Sequence, residues 1–155
     1  SDTGMRLAEA AGLAKEDVFL DTEIPHIRLC ERPWRPLKTR SSERDVPLVG
    51  AALWAAQRAY ETSPNEYLFP RYCSEQGWMA DYAGNSLNKC LRKHVPSGCV
   101  VHSFRHSMRD RLRAVECPSE IIDQIGGWKT AGFGQCYGTG FELDILFQWM
   151  KKLNL

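Results

Sequence analysis

The sequence predicts a mainly α-helical protein with one small antiparallel sheet of three strands, an α+β fold. Two observations support this class. Several segments space their apolar residues three and four positions apart, as amphipathic helices do. In the first third of the chain, short stretches rich in Val, Ile and Leu are separated by turn-forming residues, as the strands of a small sheet are. The 155 residues show no internal repeat and fit one domain.

The predicted helices begin with Met5 to Leu13, which Gly12 is expected to end. Pro118 opens a short helix through Ile125, and two glycines follow it. The other predicted helices are Gly50 to Thr62, Ala80 to His94, Ser103 to Val115 and Phe141 to Leu153. The last one has a single apolar face made of Leu143, Leu146, Phe147, Met150 and Leu153.

Three β-prone stretches supply the predicted sheet. They are Asp17 to Leu20, Ile24 to Glu31 and Arg44 to Leu48. A basic, proline-containing connector from Arg32 to Ser42 joins the second stretch to the third. Ser63 to Gly77 is expected to be a loop with one short extended piece, and the glycine-rich segment Lys129 to Gly140 is expected to be irregular.

The composition is that of an ordinary soluble globular protein, with 43% hydrophobic and 25% charged residues. No apolar run approaches the roughly 18 residues of a membrane span. The first residues lead directly into an amphipathic stretch, so no signal peptide is predicted and a cytoplasmic location is expected. Because the net charge is only +1, any prediction of DNA binding must rest on local basic clusters.

The six cysteines form no C-x-x-C pair and are expected to be reduced thiols. Cys90, His94, Cys99 and His102 have the spacing C-x3-H-x4-C-x2-H, which could be mistaken for a zinc site. This spacing matches none of the usual zinc signatures, and the residues between His94 and Cys99 are typical of a turn. We therefore expect no metal.

His102 and Arg105 form an H-x-x-R motif at the start of a predicted helix. Residues three positions apart on a helix project from the same side, so the imidazole and the guanidinium would point into one site. Alone the motif is weak, because His102 could cap the helix while Arg105 pairs with a carboxylate. Its context is more specific: Trp128 follows Arg105 by 23 residues, and Tyr137 follows Trp128 by nine.

These residues together resemble the C-terminal signature of tyrosine recombinases, the phage integrase family. His102 to Ser107 resembles the family's H-x-L-R-H-T/S segment, with Phe104 at the leucine position. Thr3 to Glu9 resembles T-G-x-R-x-x-E, which holds the family's first catalytic arginine, here Arg6. Lys38 to Leu48 resembles the β-hairpin with the catalytic lysine, with one more residue between the lysine and the arginine. The resemblance covers Thr3 to about Tyr137.

The resemblance implies a cofactor-free enzyme that cleaves and rejoins double-stranded DNA through a covalent 3′-phosphotyrosine. Arg6 and Arg105 would bind the scissile phosphate, because guanidinium groups present planar donors that fit phosphate oxygens. The indole N–H of Trp128 would add a third donor.

Three further residues have roles in this scheme. Tyr137 would be the nucleophile. His102 would help to move its proton, and Lys38 would be the general acid for the leaving 5′ oxygen.

Two basic runs flank the predicted site, one in the hairpin and one on the helix of Arg105. A solvated basic face is the ordinary alternative, but their position favours contacts with DNA phosphates. The residues predicted to make these contacts are Arg35, Arg40, Arg44 and Arg109.

The family's fold, a mostly α catalytic domain with a small three-stranded sheet, agrees with the reading of the elements. In the family, a core-binding domain and further helices precede the first arginine, so residues 1–155 are expected to be a catalytic domain truncated at its N-terminus. The full-length protein is expected to form a tetramer on DNA. The fragment is expected to be a monomer or a dimer that exchanges the helix Phe141 to Leu153.

An integrase of a bacterial or phage mobile element is the leading interpretation. A resolvase or type IB topoisomerase-like enzyme would use the same residues. A non-catalytic DNA-binding relic of a mobile element is the alternative from another class.

Overall fold

A computed structural model describes residues 2–39, 42–128 and 140–154. The α-helices in these ranges are α1 Leu7–Ala11, α2 Gly50–Thr62, α3 Ala80–Leu91, α4 Ser103–Ala114, α5 Ser119–Gly126 and α6 Leu143–Lys151. The strands are β1 Val18–Phe19, β2 His26–Leu29, β3 Arg44–Pro47, β4 Cys73–Ser74 and β5 Gly77–Trp78. Single 3₁₀ turns cover Lys15–Asp17 and Lys152–Asn154. The prediction of a mainly helical fold with a three-stranded sheet is confirmed.

The three-stranded sheet is antiparallel in the order β1-β2-β3, with Ile27 paired to Val18 on one side and to Val46 on the other. Ile27 and Val46 are buried on the core face, while Arg28 and Asp45 pair across the strands on the outer face at 3.0 Å. This alternation follows from the period of two in a strand. The core under the sheet also contains α2 and consists of Leu13, Val18, Ile27, Leu29, Val46, Leu48, Ala56 and Leu68.

A second core joins α4, α5 and α6. Its buried members are Val49, Met108, Leu112, Cys117, Ile121, Ile122, Ile125, Leu146 and Met150. Helix α6 therefore covers its apolar face on its own chain, and it also lies against β3. Two polar contacts hold its ends: Gln124 exchanges two hydrogen bonds of 2.8 Å with the backbone of Phe141, and Arg111 donates to the Leu153 carbonyl at 3.1 Å. Exchange of this helix between two chains stays a prediction.

Most of the predicted elements are shorter by one or more residues at their ends, and two segments differ more. The loop from Ser63 to Gly77 was expected to hold one extended piece, but its end forms a two-stranded hairpin with β5, in which Gly77 has a φ of 131°. Helix α3 ends at Leu91 instead of His94, and residues 92–94 form a turn that leads to Val95 and Pro96. Most of the predicted irregular segment, residues 129–139, lies outside the described residues.

The connector between β2 and β3 is fixed by a buried ion pair. Arg35 is 1% exposed and donates to Asp17 Oδ2 at 2.7 Å and to the carbonyl oxygens of Gly12 and Cys30. Asp17 is fully buried and also binds Arg32 at 2.8 Å. The prediction that Arg35 contacts DNA is therefore wrong for this structure, since its guanidinium neutralises a carboxylate in the interior.

None of the helices in the described ranges is long and apolar enough to cross a membrane.

We predict that Asp17→Asn lowers the free energy of unfolding by about 3–5 kcal/mol, because it leaves the buried charge of Arg35 without its partner. The matched control is Asp45→Asn, which breaks the exposed pair with Arg28 and should change stability by less than about 1 kcal/mol. Urea denaturation of both variants measures the difference. Equal effects at the two positions would contradict the structural role assigned to Asp17.

Candidate active site

Three predicted site residues line one small cleft. The N-terminal segment and the first turn of α4 enclose a volume of about 120 Å³, and Arg6, His102 and Arg105 are among the residues that line it. His102 and Arg105 reach it from the same side of α4, as their spacing predicted. Arg6 reaches it from the position just before α1. The structure thus brings together residues that are about a hundred positions apart in the sequence.

Arg105 is held against the N-terminal segment. It is 5% exposed, and its Nη1 donates a hydrogen bond to the carbonyl oxygen of Gly4. Gly4 has a φ of 62°, in the left-handed region that favours glycine. A side chain there would contact Met108 and Trp128 at 3.5 and 3.7 Å. The glycine of the T-G-x-R segment therefore serves to bring the chain close to Arg105.

Arg6 is fixed by contacts on both of its terminal nitrogens. Its Nη1 donates to Glu9 Oε1 at 2.6 Å and to Ser42 Oγ at 3.1 Å, while its Nη2 donates to the Gly127 carbonyl at 3.3 Å. Glu9 Oε2 also accepts the backbone N–H of Arg6 at 2.8 Å, which closes the first turn of α1. The side chain of Arg6 remains 25% exposed, so it can still meet a ligand.

Arg44 lies behind Arg6 and is buried, with its side chain 3% exposed. Its guanidinium donates to Glu9 Oε2 at 3.0 Å, to the Ser42 carbonyl at 2.7 Å and to the Ile125 carbonyl at 2.9 Å. The prediction that Arg44 contacts DNA is therefore wrong for this structure. Arg44 instead ties β3 to α1 and to the end of α5.

Glu9 contacts both Arg6 and Arg44, although the T-G-x-R-x-x-E resemblance assigned a role only to the arginine. The available signal was its position, an acid three residues after Arg6 in the first turn of a helix. Burial alone would raise the pKa of Glu9, but the charges and hydrogen bonds of Arg44 and Arg6 outweigh it and lower the pKa. Glu9 is therefore ionised and divides its charge between two arginines.

The cleft carries an excess of positive charge. Burial, together with the charges of Arg6 and Arg44, lowers the pKa of Arg105 to about 10. Burial also lowers the pKa of Arg44. Crowded guanidinium groups of this kind stabilise a bound anion, because each one lacks a full counter-charge of its own.

His102 lies exposed at the edge of the cleft, 5.1 Å from the ring of His106 in an edge-to-face arrangement. Partial burial lowers the pKa of His102, and the neighbouring His106, Arg105 and Arg6 lower it further. Its imidazole is consequently neutral at neutral pH and can accept a proton.

Trp128 packs directly on the arginines of α4. The guanidinium of Arg105 lies 4.4 Å from its ring centroid, and that of Arg109 lies 5.2 Å away. Both contacts are within the range of cation–π interactions. A Cβ at Gly126 would overlap the indole, so this position needs a glycine. The structure therefore places Trp128 beside Arg105, as the resemblance implied.

The remaining predicted residues are less completely described. Lys38 is exposed and does not line the cleft. Its neighbour Thr39 hydrogen-bonds Ser42, which accepts from Arg6, so the connector is tied to the site next to the lysine. Arg40 and Tyr137 lie outside the described residues.

Among the residues that the structure describes, no three His, Cys, Asp or Glu side chains are grouped as metal ligands. Cys90 and His94 of the C-x3-H-x4-C-x2-H pattern are exposed.

Comparison with solved structures supports the fold. The integrase of transposon Tn1549 (residues 82–397), in complex with circular intermediate DNA, has a TM-score of 0.62 and 19% identity over 97% of this chain and 56% of that chain. The XerA recombinase has a TM-score of 0.58 and 19% identity over 97% of this chain and 53% of its own. This chain thus spans about half the length of the structures that it matches. No curated relative matches the sequence.

The sequence itself matches the model of the phage integrase family over residues 1–139, which is most of the chain. This match covers all the residues that form the cleft, together with Trp128 and the segment that contains Tyr137. The chain belongs to the phage integrase family.

Proposed function

We propose that this chain carries the active site of a site-specific tyrosine recombinase, which cleaves and rejoins DNA through a covalent 3′-phosphotyrosine. The observation that carries the proposal is the convergence of Arg6, His102 and Arg105 on one cleft, with Trp128 packed on Arg105. Membership of the phage integrase family and a fold shared with solved recombinases support it.

The first task of the site is to bind the scissile phosphate. Arg6 reaches the cleft from the segment before α1 and Arg105 from α4, and both are held by protein oxygens before a ligand binds. Such preorganised donors stabilise the charge that grows on the non-bridging oxygens as a nucleophile attacks phosphorus. In this mechanism the indole N–H of Trp128 is a further donor from the side of Arg105.

Tyr137 is the proposed nucleophile. A free tyrosine has a pKa of about 10 and attacks slowly at neutral pH. The neutral imidazole of His102 accepts the phenol proton, and the surrounding arginines favour the developing phenolate. The phenolate oxygen then bonds to phosphorus while the bond from phosphorus to the 5′ oxygen breaks.

Lys38 is the proposed general acid that gives a proton to the departing 5′ oxygen. In the return step, a DNA 5′-hydroxyl attacks the phosphotyrosine and releases the tyrosine. The bond energy is kept in the protein–DNA linkage, so rejoining needs no external energy source. The substrate is double-stranded DNA, and in the full-length protein we expect four copies to act together on it in the bacterial cytoplasm.

We predict that Tyr137→Phe abolishes covalent attachment to DNA and leaves non-covalent binding nearly unchanged, because only the nucleophilic oxygen is removed. The substrate is a labelled library of nicked duplexes of random sequence, and adducts are separated on a denaturing gel. A mobility-shift assay of the same variant measures binding. If this variant still forms adducts, the nucleophile is another residue.

Arg105→Lys is expected to slow cleavage by about 10²–10³ although it retains the charge, since a lysine cannot hold two phosphate oxygens in a planar fork. The matched control is Arg113→Lys on the exposed side of the same helix, which should cleave at the wild-type rate. Single-turnover cleavage at saturating protein measures both variants. Equal rates for the two would show that Arg105 has only a structural role.

The cleavage rate should depend on the protonation of His102. Because its pKa is lowered from the ordinary 6.5, the neutral base persists as the pH falls from neutrality to 6.5, and the rate should decline only at lower pH. His102→Gln should lower the rate and remove this decline. A wild-type midpoint above 6.5 would contradict the proposed role of His102 as the base.

A further inference from the structure

We propose that Arg109 is a positioning residue, which holds the indole of Trp128 against Arg105 and is itself held by Asp123. The consequence for catalysis rests on the proposed function, whereas the packing itself can be tested without it. This inference replaces the expectation from the sequence that Arg109 contacts a DNA phosphate.

Arg105 and Arg109 lie one turn apart on the same side of α4, and the indole of Trp128 covers both guanidinium groups. The positive charges of these two guanidinium groups repel each other. The electron-rich face of the ring offsets part of that repulsion, and each contact contributes a modest attraction. Trp128 is therefore packed by two arginines, of which only Arg105 also lines the cleft.

Asp123 fixes both partners of this contact. Its carbonyl oxygen accepts the backbone N–H of Trp128 at 2.9 Å, and its carboxylate accepts Arg109 Nη2 at 3.3 Å. Asp123 is 4% exposed, so the ion pair is shielded from water on the carboxylate side. One buried residue on α5 thus sets the backbone of Trp128 and the cation that packs on its ring.

Two of the three guanidinium nitrogens of Arg109 are already buried or paired. Its Nε is buried and has no hydrogen-bond partner among the described residues, as expected for a guanidinium that lies against a ring. One terminal nitrogen is engaged by Asp123. The side chain is 37% exposed, so a phosphate contact through the other terminal nitrogen is the competing role that the experiments below must separate from positioning.

Loss of the Arg109 contact should let the indole move away from Arg105. Arg105 would then lose the surface that orients its guanidinium, although its bond to Gly4 would remain. Misplacement of a catalytic group lowers the rate of the chemical step, here by roughly 10- to 100-fold. The affinity for DNA should change little, because no phosphate contact is removed.

Four variants separate positioning from direct contact with DNA. Arg109→Lys retains the charge but loses the planar group, Arg109→Gln removes the charge, and Asp123→Asn breaks the ion pair. Arg113→Gln is the control, since this exposed residue of the same helix forms its ion pair with the exposed Asp110 and does not pack on the indole. We would measure single-turnover cleavage of the nicked duplex library and the salt dependence of binding to duplex DNA.

Positioning predicts that Arg109→Lys and Asp123→Asn both slow cleavage roughly 10- to 100-fold, while Arg113→Gln does not. It also predicts that Arg109→Gln leaves the slope of log Kd against log salt unchanged. In a Trp128→Ala background, which has no ring to position, Arg109→Lys should add nothing. A wild-type cleavage rate for Arg109→Lys, or a slope reduced by about one in Arg109→Gln, would overturn the inference and restore a phosphate contact.

A measurement on the free protein keeps this test independent of catalysis. The indole N–H resonance of Trp128, assigned through its loss in Trp128→Phe, should shift in Arg109→Lys and Asp123→Asn and stay in place in Arg113→Gln. If the wild-type chain forms no adduct while these shifts occur, the proposed function fails and the packing stands. An unmoved resonance in both variants would reject the packing.

Discussion

The rest of the site depends on the two ion pairs that the ionised carboxylate of Glu9 forms with Arg6 and Arg44. Glu9 Oε1 accepts the Arg6 guanidinium at 2.6 Å, its Oε2 accepts the Arg44 guanidinium at 3.0 Å, and Arg44 also donates to the Ile125 carbonyl at the end of α5. Three separate parts of the chain are thereby joined around one buried negative charge. Breaking such a buried pair is strongly unfavourable, since it would leave Arg44 charged in the interior without a partner. The carboxylate of Glu9 therefore both stabilises the fold and orients Arg6 in the cleft.

The arrangement leaves more positive charge at the cleft than the nearby carboxylate can balance. Arg105 has a carbonyl oxygen and an aromatic ring as its partners, and its pKa falls to about 10 because burial and the neighbouring arginines both disfavour its charge. A phosphodiester bound between Arg6 and Arg105 would supply the missing negative charge. In the free protein Arg105 is thus held by neutral partners and Arg6 by a carboxylate, and the preorganised pair is stabilised further when an anion binds.

The basic residues of the chain divide by burial and by partner. Arg35 and Arg44 neutralise interior carboxylates, and Arg109 packs on an aromatic ring next to Asp123. This local pairing balances part of the positive charge, and the net charge of the whole chain is only +1. A run of arginines in a sequence therefore does not by itself indicate a DNA-binding surface, because the arginines can form ion pairs with the protein's own carboxylates.

The sequence by itself determined the helices, the three strands and the shared direction of His102 and Arg105, since periodicity, turn residues and i, i+3 spacing act over a few neighbouring positions. It also indicated Arg6 and Trp128 through motif spacing, and the structure places both at the site. Only the tertiary structure decided which arginines are available. Arg44 finds its acceptor 81 positions away at Ile125, and Arg35 finds Asp17 across two strands. Local sequence cannot specify these partners, because a charged side chain becomes buried only when distant segments pack over it and provide its counter-charge.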